Sequence, residues 1–231
     1  MEGLTIKPIA VIHSDFTTKF GIPRQSGLVP SLRSEIVFEP AYRDANALRG
    51  LEGYSHLWLL WGFSEVQPKE TFSPMVKPPR LGGNKRMGVF ATRSPFRPNP
   101  IGLSSVKLEA IEARPHRGTV LIVSGADLMD GTPIYDIKPY LPFTDSHPDA
   151  SFGFSEEQLS YRLEVDAPES LLAILPSEKR GAVVEALAQD PRPAYRDDPG
   201  ERYGFYYAGY DIRFTVSNGT AHLVEIVNVE N

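Results

Sequence analysis

Short runs of β-branched and aromatic residues, bounded by Gly, Pro, Asn or Asp, recur between residues 5 and 140 and constrain the fold most strongly. Such runs are typical of strands joined by tight turns. Proline supports this interpretation, because 21 of the 231 residues are proline and the usual share is about 5%. We therefore predict a mainly β domain with strands near Thr5 to Ile12, Glu35 to Glu39, Ser55 to Phe63, Met87 to Thr92, Leu103 to Ile111, Thr119 to Ser124 and Ile134 to Tyr140.

One of these runs, SHLWLLWGF at Ser55 to Phe63, is apolar almost throughout. A strand buried on both faces has this pattern, as in a closed barrel or a covered sheet. We expect residues 1–148 to form a closed β-barrel. A short helix is expected from about Tyr42 to Arg49, with Gly50 as its terminating glycine.

The composition changes after about Asp149, which predicts a second, small α+β domain over residues 149–231. Ser177 to Gln189 has helical spacing of its apolar residues, with Ser177 as a candidate N-cap and Pro191 as the stop. Tyr203 to Val216 and Thr220 to Val229 flank Asn218-Gly219, a pair that favours a hairpin turn. The aromatic residues of the first of these two strands are expected to pack the hairpin: Phe205, Tyr206, Tyr207 and Tyr210.

The segment from Arg86 to Ser104, RMGVFATRSPFRPNPIGLS, combines a stiff backbone with cationic side chains. It contains three prolines, Pro95, Pro98 and Pro100. Each proline fixes its own φ angle and lacks a backbone N–H donor. Its arginines offer planar donors that suit carboxylates and phosphates. The segment therefore predicts an anion-binding loop. The structural alternative is that the arginines cap turns and pair with surface acids.

Charge is distributed unevenly along the chain. Residues 71–107 contain seven Lys or Arg and no Asp or Glu, whereas the whole chain has a net charge of −5. The rest of the chain is therefore net −12. A concentrated basic tract is a local footprint for a polyanion such as RNA, even in an acidic protein. Neutralisation of the tract by the acidic C-terminal third is the alternative.

Several classes of site and location are disfavoured by what the chain lacks. It has no cysteine, which excludes disulfides, thiolate metal sites and cysteine nucleophiles and fits a reducing cytosol. Its five histidines are scattered, so no metal is expected. The N-terminus has no signal-peptide pattern, and no apolar run approaches the length of a membrane span. We expect a cytoplasmic protein without a membrane partner.

Six motifs, in order along nearly the whole chain, resemble the TsaA-like, TrmO family of tRNA methyltransferases. They are PRQ (Pro23 to Gln25), SHLW (Ser55 to Trp58), PPRLGGN (Pro78 to Asn84), GVFATRSPFRPNPIG (Gly88 to Gly102), DLMDGTPIYDIKPYLP (Asp127 to Pro142) and DPRPAY (Asp190 to Tyr195). The resemblance implies methylation of N6 of threonylcarbamoyladenosine at tRNA position 37, beside the anticodon, with S-adenosylmethionine (SAM) as methyl donor. It also implies a β-barrel fold and a homodimer.

The resemblance carries over a set of SAM-contacting residues: Pro23, Arg24, Gln25, His56, Leu57, Arg93, Leu103, Asp127, Leu128, Met129 and Asp130. The sequence has no glycine-rich strand-to-helix fingerprint followed by an acid, so a dinucleotide-type SAM site is not supported. Three structural alternatives remain open. His56 could be a hydrogen-bonded core residue, DLMDG an ordinary turn, and DPRPAY a stiff linker.

The reaction needs few catalytic groups. Methyl transfer is an in-line displacement, so the enzyme mainly has to align the two reactants and exclude water. The target nitrogen is a poor nucleophile until it loses its proton, so a base should assist. Tyr195 is the first candidate, followed by Asp190 and Asp136. The substrate carboxylate needs a fork of donors, for which Arg97 or Arg192 is suited, and the same motifs add Asn99 and Lys138 to the predicted substrate contacts. A non-catalytic RNA-binding barrel and a methyltransferase for a small adenine-like metabolite are the alternative functions.

Overall fold

The computed structural model describes residues 3–66, 71–78, 85–158, 161–192 and 200–229. Its described strands are β1 (Ala10–His13), β2 (Arg33–Phe38), β3 (His56–Gly62), β4 (Met75–Val76), β5 (Met87–Gly88), β6 (Ile101–Arg114), β7 (Gly118–Ser124), β8 (Thr132–Pro139), β9 (Glu164–Asp166), β10 (Tyr203–Tyr207), β11 (Tyr210–Ser217) and β12 (Thr220–Asn228). The α-helices are α1 (Pro142–Asp145), α2 (Glu169–Leu172) and α3 (Ser177–Ala188). The prediction of a mainly β chain is confirmed.

Six strands form the larger sheet, in the order β1-β2-β7-β6-β3-β8. All of their pairings are antiparallel, and β8 pairs with β1 through Ala10↔Ile134, Val11↔Pro133 and Ile12↔Thr132, so the ring of pairings closes. Fully buried residues from these strands fill the space enclosed by the sheet, among them Ile12, Ile36, Leu57, Leu59, Leu121 and Ile134.

Strand β3 differs from the expectation that both of its faces are buried. Leu57, Leu59 and Trp61 point into the core, whereas His56 is exposed and Trp58 only half-buried. The strand therefore alternates in the ordinary antiparallel manner. Of its outward-facing residues, His56 and Trp58 line a groove on the outer face of the sheet.

Two local predictions were also wrong. The predicted strand Met87 to Thr92 stops after two residues and continues as a 3-10 turn over Val89–Ala91. The predicted helix at Tyr42 to Arg49 is two 3-10 turns, Pro40–Tyr42 and Ala45–Leu48. Gly50 nevertheless has the expected left-handed conformation, with φ of 89°.

The C-terminal segment forms a four-stranded sheet in the order β10-β11-β12-β9, packed against α3. The predicted turn is confirmed, since Asn218 and Gly219 have φ angles of 51° and 78°. Helix α3 begins at Ser177, but Pro176 is the N-cap, so the predicted capping role of Ser177 was wrong. Phe205 and Tyr207 are buried as expected, whereas Tyr206 is 46% exposed.

The connection between β1 and β2 joins the two cores. Phe16, Val29 and Leu32 belong to this connection, yet they are buried in the core of the C-terminal sheet. Polar contacts reinforce the packing, because Glu185 of α3 accepts hydrogen bonds from the backbone N–H of Ser31 at 2.9 Å and from its hydroxyl at 2.6 Å. The division of the chain near residue 148 thus remains a sequence-based prediction. Residues from both sides of this boundary pack in the same core.

Candidate active site

A groove of about 510 Å³ lies on the outer face of the larger sheet, where β3 and β6 run side by side. The volume is within the range of small-molecule sites. Alternation along the two strands places four side chains in its wall: His56, Trp58, Leu103 and Ser105. The other lining residues come from connecting segments and from the end of α1: Ser26, Arg93, Tyr140 and Asp145.

Arg93 enters the groove from the proline-rich loop and is tied to Gln25. Its Nη1 donates a hydrogen bond to Oε1 of Gln25, and Gln25 Nε2 donates to the carbonyl oxygen of Arg24 at 2.5 Å. Within the described residues the other guanidinium N–H groups of Arg93 have no hydrogen-bond partner. Because these groups are exposed, Arg93 can bind a carboxylate in the groove.

Arg97 holds the proline-rich loop in shape. Its Nη1 donates to the carbonyl oxygens of Thr92 and Ser94 at 3.0 and 3.3 Å. The backbone carbonyl of Asn99 accepts from the N–H of Ile101 at 2.8 Å, and the residue is exposed. The structural alternative for the loop arginines therefore applies to Arg97 in part, whereas Arg93 is directed at the groove.

A buried hydrogen-bond chain leads from the core to Asp127. The indole Nε1 of Trp61 donates to the hydroxyl of Ser104 at 3.0 Å, and that hydroxyl donates to Oδ1 of Asp127 at 2.6 Å. Burial raises the pKa of the Asp127 carboxyl, while the Ser104 hydrogen bond and the positive charge of Arg93 act in the opposite direction. Asp127 is thereby held in one orientation beside Arg93.

Asp145 presents a second carboxylate to the groove. Its Oδ2 accepts hydrogen bonds from the backbone N–H of Leu141 at 2.9 Å and from the indole Nε1 of Trp58 at 2.7 Å. The pKa of Asp145 is lowered, chiefly by the Leu141 hydrogen bond and next by that of Trp58. The group is therefore ionised at neutral pH.

The remaining members of the predicted SAM set are not among the residues that line the groove. The side chains of Leu57 and Leu128 are in the core, so they can contact a groove ligand only through their backbone. Asp130 accepts from the backbone N–H of Ser14 and pairs with Nδ1 of His13, each at 3.1 Å. The DLMDG segment is thus a turn, as its alternative proposed, and it also supplies Asp127. Pro23 is buried, and Met129 uses its carbonyl oxygen to accept from Thr132.

Arg24 connects the first motif with the last. Its Nη2 donates to the carbonyl oxygens of Asp190 and Arg192 at 3.1 and 3.3 Å. Asp190 and Arg192 form a nearly buried ion pair, with Nε to Oδ1 at 2.8 Å and Nη2 to Oδ2 at 3.1 Å. The hydroxyl of Tyr161 also donates to Oδ2 of Asp190, at 2.7 Å. Asp190 is a strained residue, with φ of 52°, so these contacts hold a demanding turn in place.

Asp136 and Lys138 lie on β8 and form an exposed ion pair at 2.8 Å. Lys138 is directly opposite Trp58 in the pairing of β8 with β3, so it shares the outer face of the sheet with the groove. Tyr195 lies outside the described residues, as do most of the PPRLGGN motif and the second half of DPRPAY.

The sequence interpretation missed several groove residues. Two of them could have been found by strand alternation, because Trp58 follows His56 by two residues and Ser105 follows Leu103 by two. Tyr140 lies within a recognised motif but had no assigned role. Ser26 is adjacent to Gln25 in the chain, and Asp145 had no signal in the sequence.

Two negative findings apply to the described ranges. No group of three or more His, Cys, Asp or Glu in them is placed to hold a metal ion. No helix in them is long and apolar enough to cross a membrane.

Comparison with known families gives two matches. Residues 11–146 match the model described as "tRNA-methyltransferase O N-terminal domain". Residues 161–229 match the model described as "TrmO C-terminal domain". Together the two matches span most of the chain.

Individual relatives agree with the family matches. A tRNA (adenine(37)-N6)-methyltransferase of Escherichia coli (strain K12) is 44% identical over 227 residues, which cover 94% of this chain and 95% of that protein. A protein of the same name from Eikenella corrodens is 47% identical over 178 residues, covering 77% of this chain and 99% of the relative. The crystal structure of TrmO from Pseudomonas aeruginosa superposes with a TM-score of 0.79 and 32% identity, covering 98% of this chain and 99% of that one.

Proposed function

The chain belongs to the TrmO family of SAM-dependent tRNA (adenine-37-N6) methyltransferases, and we propose that its substrate nucleoside is N6-threonylcarbamoyladenosine. The site is then the groove on β3 and β6, together with the C-terminal motif that Arg24 contacts. We further propose that residues 1–148 bind the methyl donor as a barrel and residues 149–231 contribute to tRNA binding. The proposed enzyme is a cytoplasmic homodimer that acts on the anticodon loop.

One observation carries this proposal. His56, Arg93 and Leu103 were assigned to SAM by the resemblance, and all three line the same groove, although His56 is far from the other two in the chain. Gln25 accepts a hydrogen bond from Arg93. Asp127 accepts one from Ser104, the neighbour of Leu103 in the chain, and the positive charge of Arg93 acts on its carboxyl. Residues of three of the six motifs line the groove, and Gln25 of a fourth motif is hydrogen-bonded to Arg93.

The groove suits the chemistry of SAM. Arg93 offers free donors for a carboxylate, and Leu103, Trp58 and Tyr140 offer apolar and aromatic surface. Asp127 lies close enough to Arg93 for the charge of Arg93 to act on its carboxyl. When bound, SAM supplies an electrophilic methyl group on a positively charged sulfur. The residues proposed to hold it are Pro23, Arg24, Gln25, His56, Leu57, Arg93, Leu103 and the turn from Asp127 to Asp130.

The protein's own groups then have to bind and deprotonate the substrate. Tyr195, Asp190 and Asp136 remain the candidate bases. Asp136 is accessible, with its side chain 44% exposed, whereas the described contacts of Asp190 occupy both of its oxygens. Arg192 is paired with Asp190, so it would have to exchange that partner to bind the substrate carboxylate. Arg97, Asn99 and Lys138 are the other proposed substrate contacts.

Part of the basic tract supports a polyanionic substrate. Strands β4 and β5 pair through Val76↔Met87, which places Lys77 beside Arg86 at the end of a two-stranded ribbon. Both residues and Lys85 are exposed. A cluster of exposed cations without intervening carboxylates binds a phosphate backbone in a strongly salt-dependent manner.

The test is transfer of label from SAM to tRNA. Transfer RNA that carries threonylcarbamoyladenosine is incubated with the protein and methyl-labelled SAM, then digested to nucleosides and separated. Label should appear in the N6-methyl derivative of that nucleoside, and the same tRNA without the threonylcarbamoyl group is the matched control. Binding of the tRNA without any transfer would refute the proposal and support an RNA-binding protein. Equal transfer to both tRNAs would refute only the proposed substrate nucleoside.

A further inference from the structure

The carboxylate of Asp145 is ionised, and it has no lysine or arginine partner among the described residues. No Lys or Arg in the described part of the chain lies within ion-pair distance of its carboxylate. The charge of His147 also lowers the pKa of Asp145, but by less than the hydrogen bonds do. Asp145 is fixed by neutral donors instead, namely the Leu141 N–H and the Trp58 indole.

These neutral donors leave the negative charge available and occupy one of the two carboxylate oxygens, Oδ2. Oδ2 accepts two hydrogen bonds, and Oδ1 accepts a long one of 3.4 Å from the Thr144 hydroxyl. An ammonium group prefers acceptors with free lone pairs, because it donates three hydrogen bonds. A cation that donates none needs only a nearby negative charge and aromatic surface.

Aromatic surface lies beside this carboxylate. Trp58 and Tyr140 both line the groove, with ring centroids 5.5 Å apart and planes inclined by 46°. The faces of such rings attract cations that carry no hydrogen-bond donors, as in the recognition of quaternary ammonium groups. Asp145, Trp58 and Tyr140 thus make one corner of the groove suited to a permanently charged, non-donating cation.

The methyl donor contains such a cation, the sulfonium. We propose that Asp145, held by the Trp58 indole, provides the negative charge that binds the sulfonium of SAM in this groove. This inference rests on the proposed function, since it assumes that SAM occupies the groove. It assigns different ends of the donor to different residues, with Arg93 at the carboxylate and Asp145 at the charged sulfur.

The experiment compares SAM with S-adenosylhomocysteine, which has the same adenosine, carboxylate and ammonium groups but a neutral sulfur. Dissociation constants for both ligands are measured by calorimetry at pH 8, where an ordinary histidine is neutral. The variant is Asp145→Asn, whose amide oxygen can still accept from Leu141 and Trp58. Glu112→Gln is the matched control, because Glu112 is a partly exposed acid on β6 that pairs with Arg114 and does not line the groove.

Asp145→Asn should weaken SAM binding on the order of fivefold, because a charge pair at a solvent-accessible groove is lost. Binding of S-adenosylhomocysteine should change less than about twofold, and Glu112→Gln should leave both constants within about twofold. Unchanged SAM affinity, or an equal loss for both ligands, would refute the assignment to the sulfonium. Absence of SAM binding by the wild-type protein would refute the proposed function instead.

The folding of each variant is checked by circular dichroism. If Asp145→Asn does not fold, the pair Asp145→Glu and Asp145→Gln carries the same comparison, because the two side chains match in shape and differ in charge. Asp145→Glu should then keep a preference for SAM over S-adenosylhomocysteine that Asp145→Gln lacks. Equal preference in the two variants would overturn the inference.

Discussion

Replacing Gly102 by alanine should destabilise the larger sheet through a steric clash with Trp61. Gly102 and Trp61 are directly opposite each other on β6 and β3. A Cβ added at Gly102 would lie 2.2 Å from Cε2 and 2.4 Å from Cζ2 of the Trp61 ring. Trp61 is 8% exposed and bonded to Ser104, so its ring cannot move aside without breaking that hydrogen bond.

The magnitude follows from two contributions. Overpacking of a filled core typically costs about 1–3 kcal/mol. Loss of the indole hydrogen bond to Ser104 adds about 1 kcal/mol. We expect Gly102→Ala to lower the free energy of unfolding by about 2–4 kcal/mol, a shift of about 1–2 M in the urea midpoint for a typical m-value.

Tryptophan fluorescence suits this measurement, because the chain has two tryptophans and both lie in β3. The signal therefore reports unfolding of the larger sheet rather than of the C-terminal sheet. Gly53→Ala is the control, since a Cβ at Gly53 meets nothing within 4 Å. Its free energy of unfolding should stay within about 0.5 kcal/mol of wild type.

The double variant separates the clash from other effects of alanine. In a Trp61→Leu background, which keeps Trp58 as the reporter, Gly102→Ala should cost less than about 0.5 kcal/mol because the ring is gone. An equal cost in both backgrounds would contradict the steric argument. A Gly102→Ala protein as stable as wild type would contradict it as well.

Three further predictions concern the site. Arg93→Ala should weaken SAM binding about tenfold or more in calorimetry, since a charged hydrogen bond contributes about 1.5–3 kcal/mol; unchanged affinity in a folded variant would remove Arg93 from the cofactor site. Burial raises the pKa of Asp127, so the wild-type protein loses stability as pH rises above the pKa of a free aspartate, about 3.9. Asp127→Asn should therefore be more stable than wild type in urea at pH 7 and lose this advantage toward pH 4, whereas a difference independent of pH would contradict the burial argument. Tyr195→Phe should leave SAM affinity nearly unchanged and sharply lower methyl transfer to tRNA, because loss of the phenol affects activation or orientation of the substrate nitrogen; wild-type turnover would exclude Tyr195 as the base.

Local chemistry made much of the fold predictable. The Asn218-Gly219 turn tolerates positive φ at both positions, and the helical spacing after Ser177 persists to Ala188. A second hairpin turn at Ala208-Gly209, with φ of 50° and 80°, was missed because alanine seldom adopts the left-handed conformation. Strand β9 was missed because it is three residues long and polar, and its parallel pairing with β12 depends on a contact distant in sequence.

The site was predictable where a motif or strand alternation placed a side chain. His56 lies in a motif and Leu103 was assigned by the resemblance, and alternation adds Trp58 and Ser105 on the same face. Asp145 could not be found in this way. It reaches the groove because α1 follows the end of β8 and its carboxylate accepts from a backbone N–H four residues earlier, neither of which leaves a pattern in the sequence.

The connection from β1 to β2 explains why a division of the chain at a single residue near 148 describes this molecule poorly. Phe16, Val29 and Leu32 are buried in the core of the C-terminal sheet, and the same connection presents Arg24 and Gln25 between them. Burial of three large apolar side chains, at about 1.5–3 kcal/mol each, restricts the ends of this loop. Arg24 adds hydrogen bonds to the backbone of the Asp190–Arg192 turn. The C-terminal sheet therefore supports the loop that carries Gln25 to Arg93, and a chain cut near residue 148 would expose these three core residues.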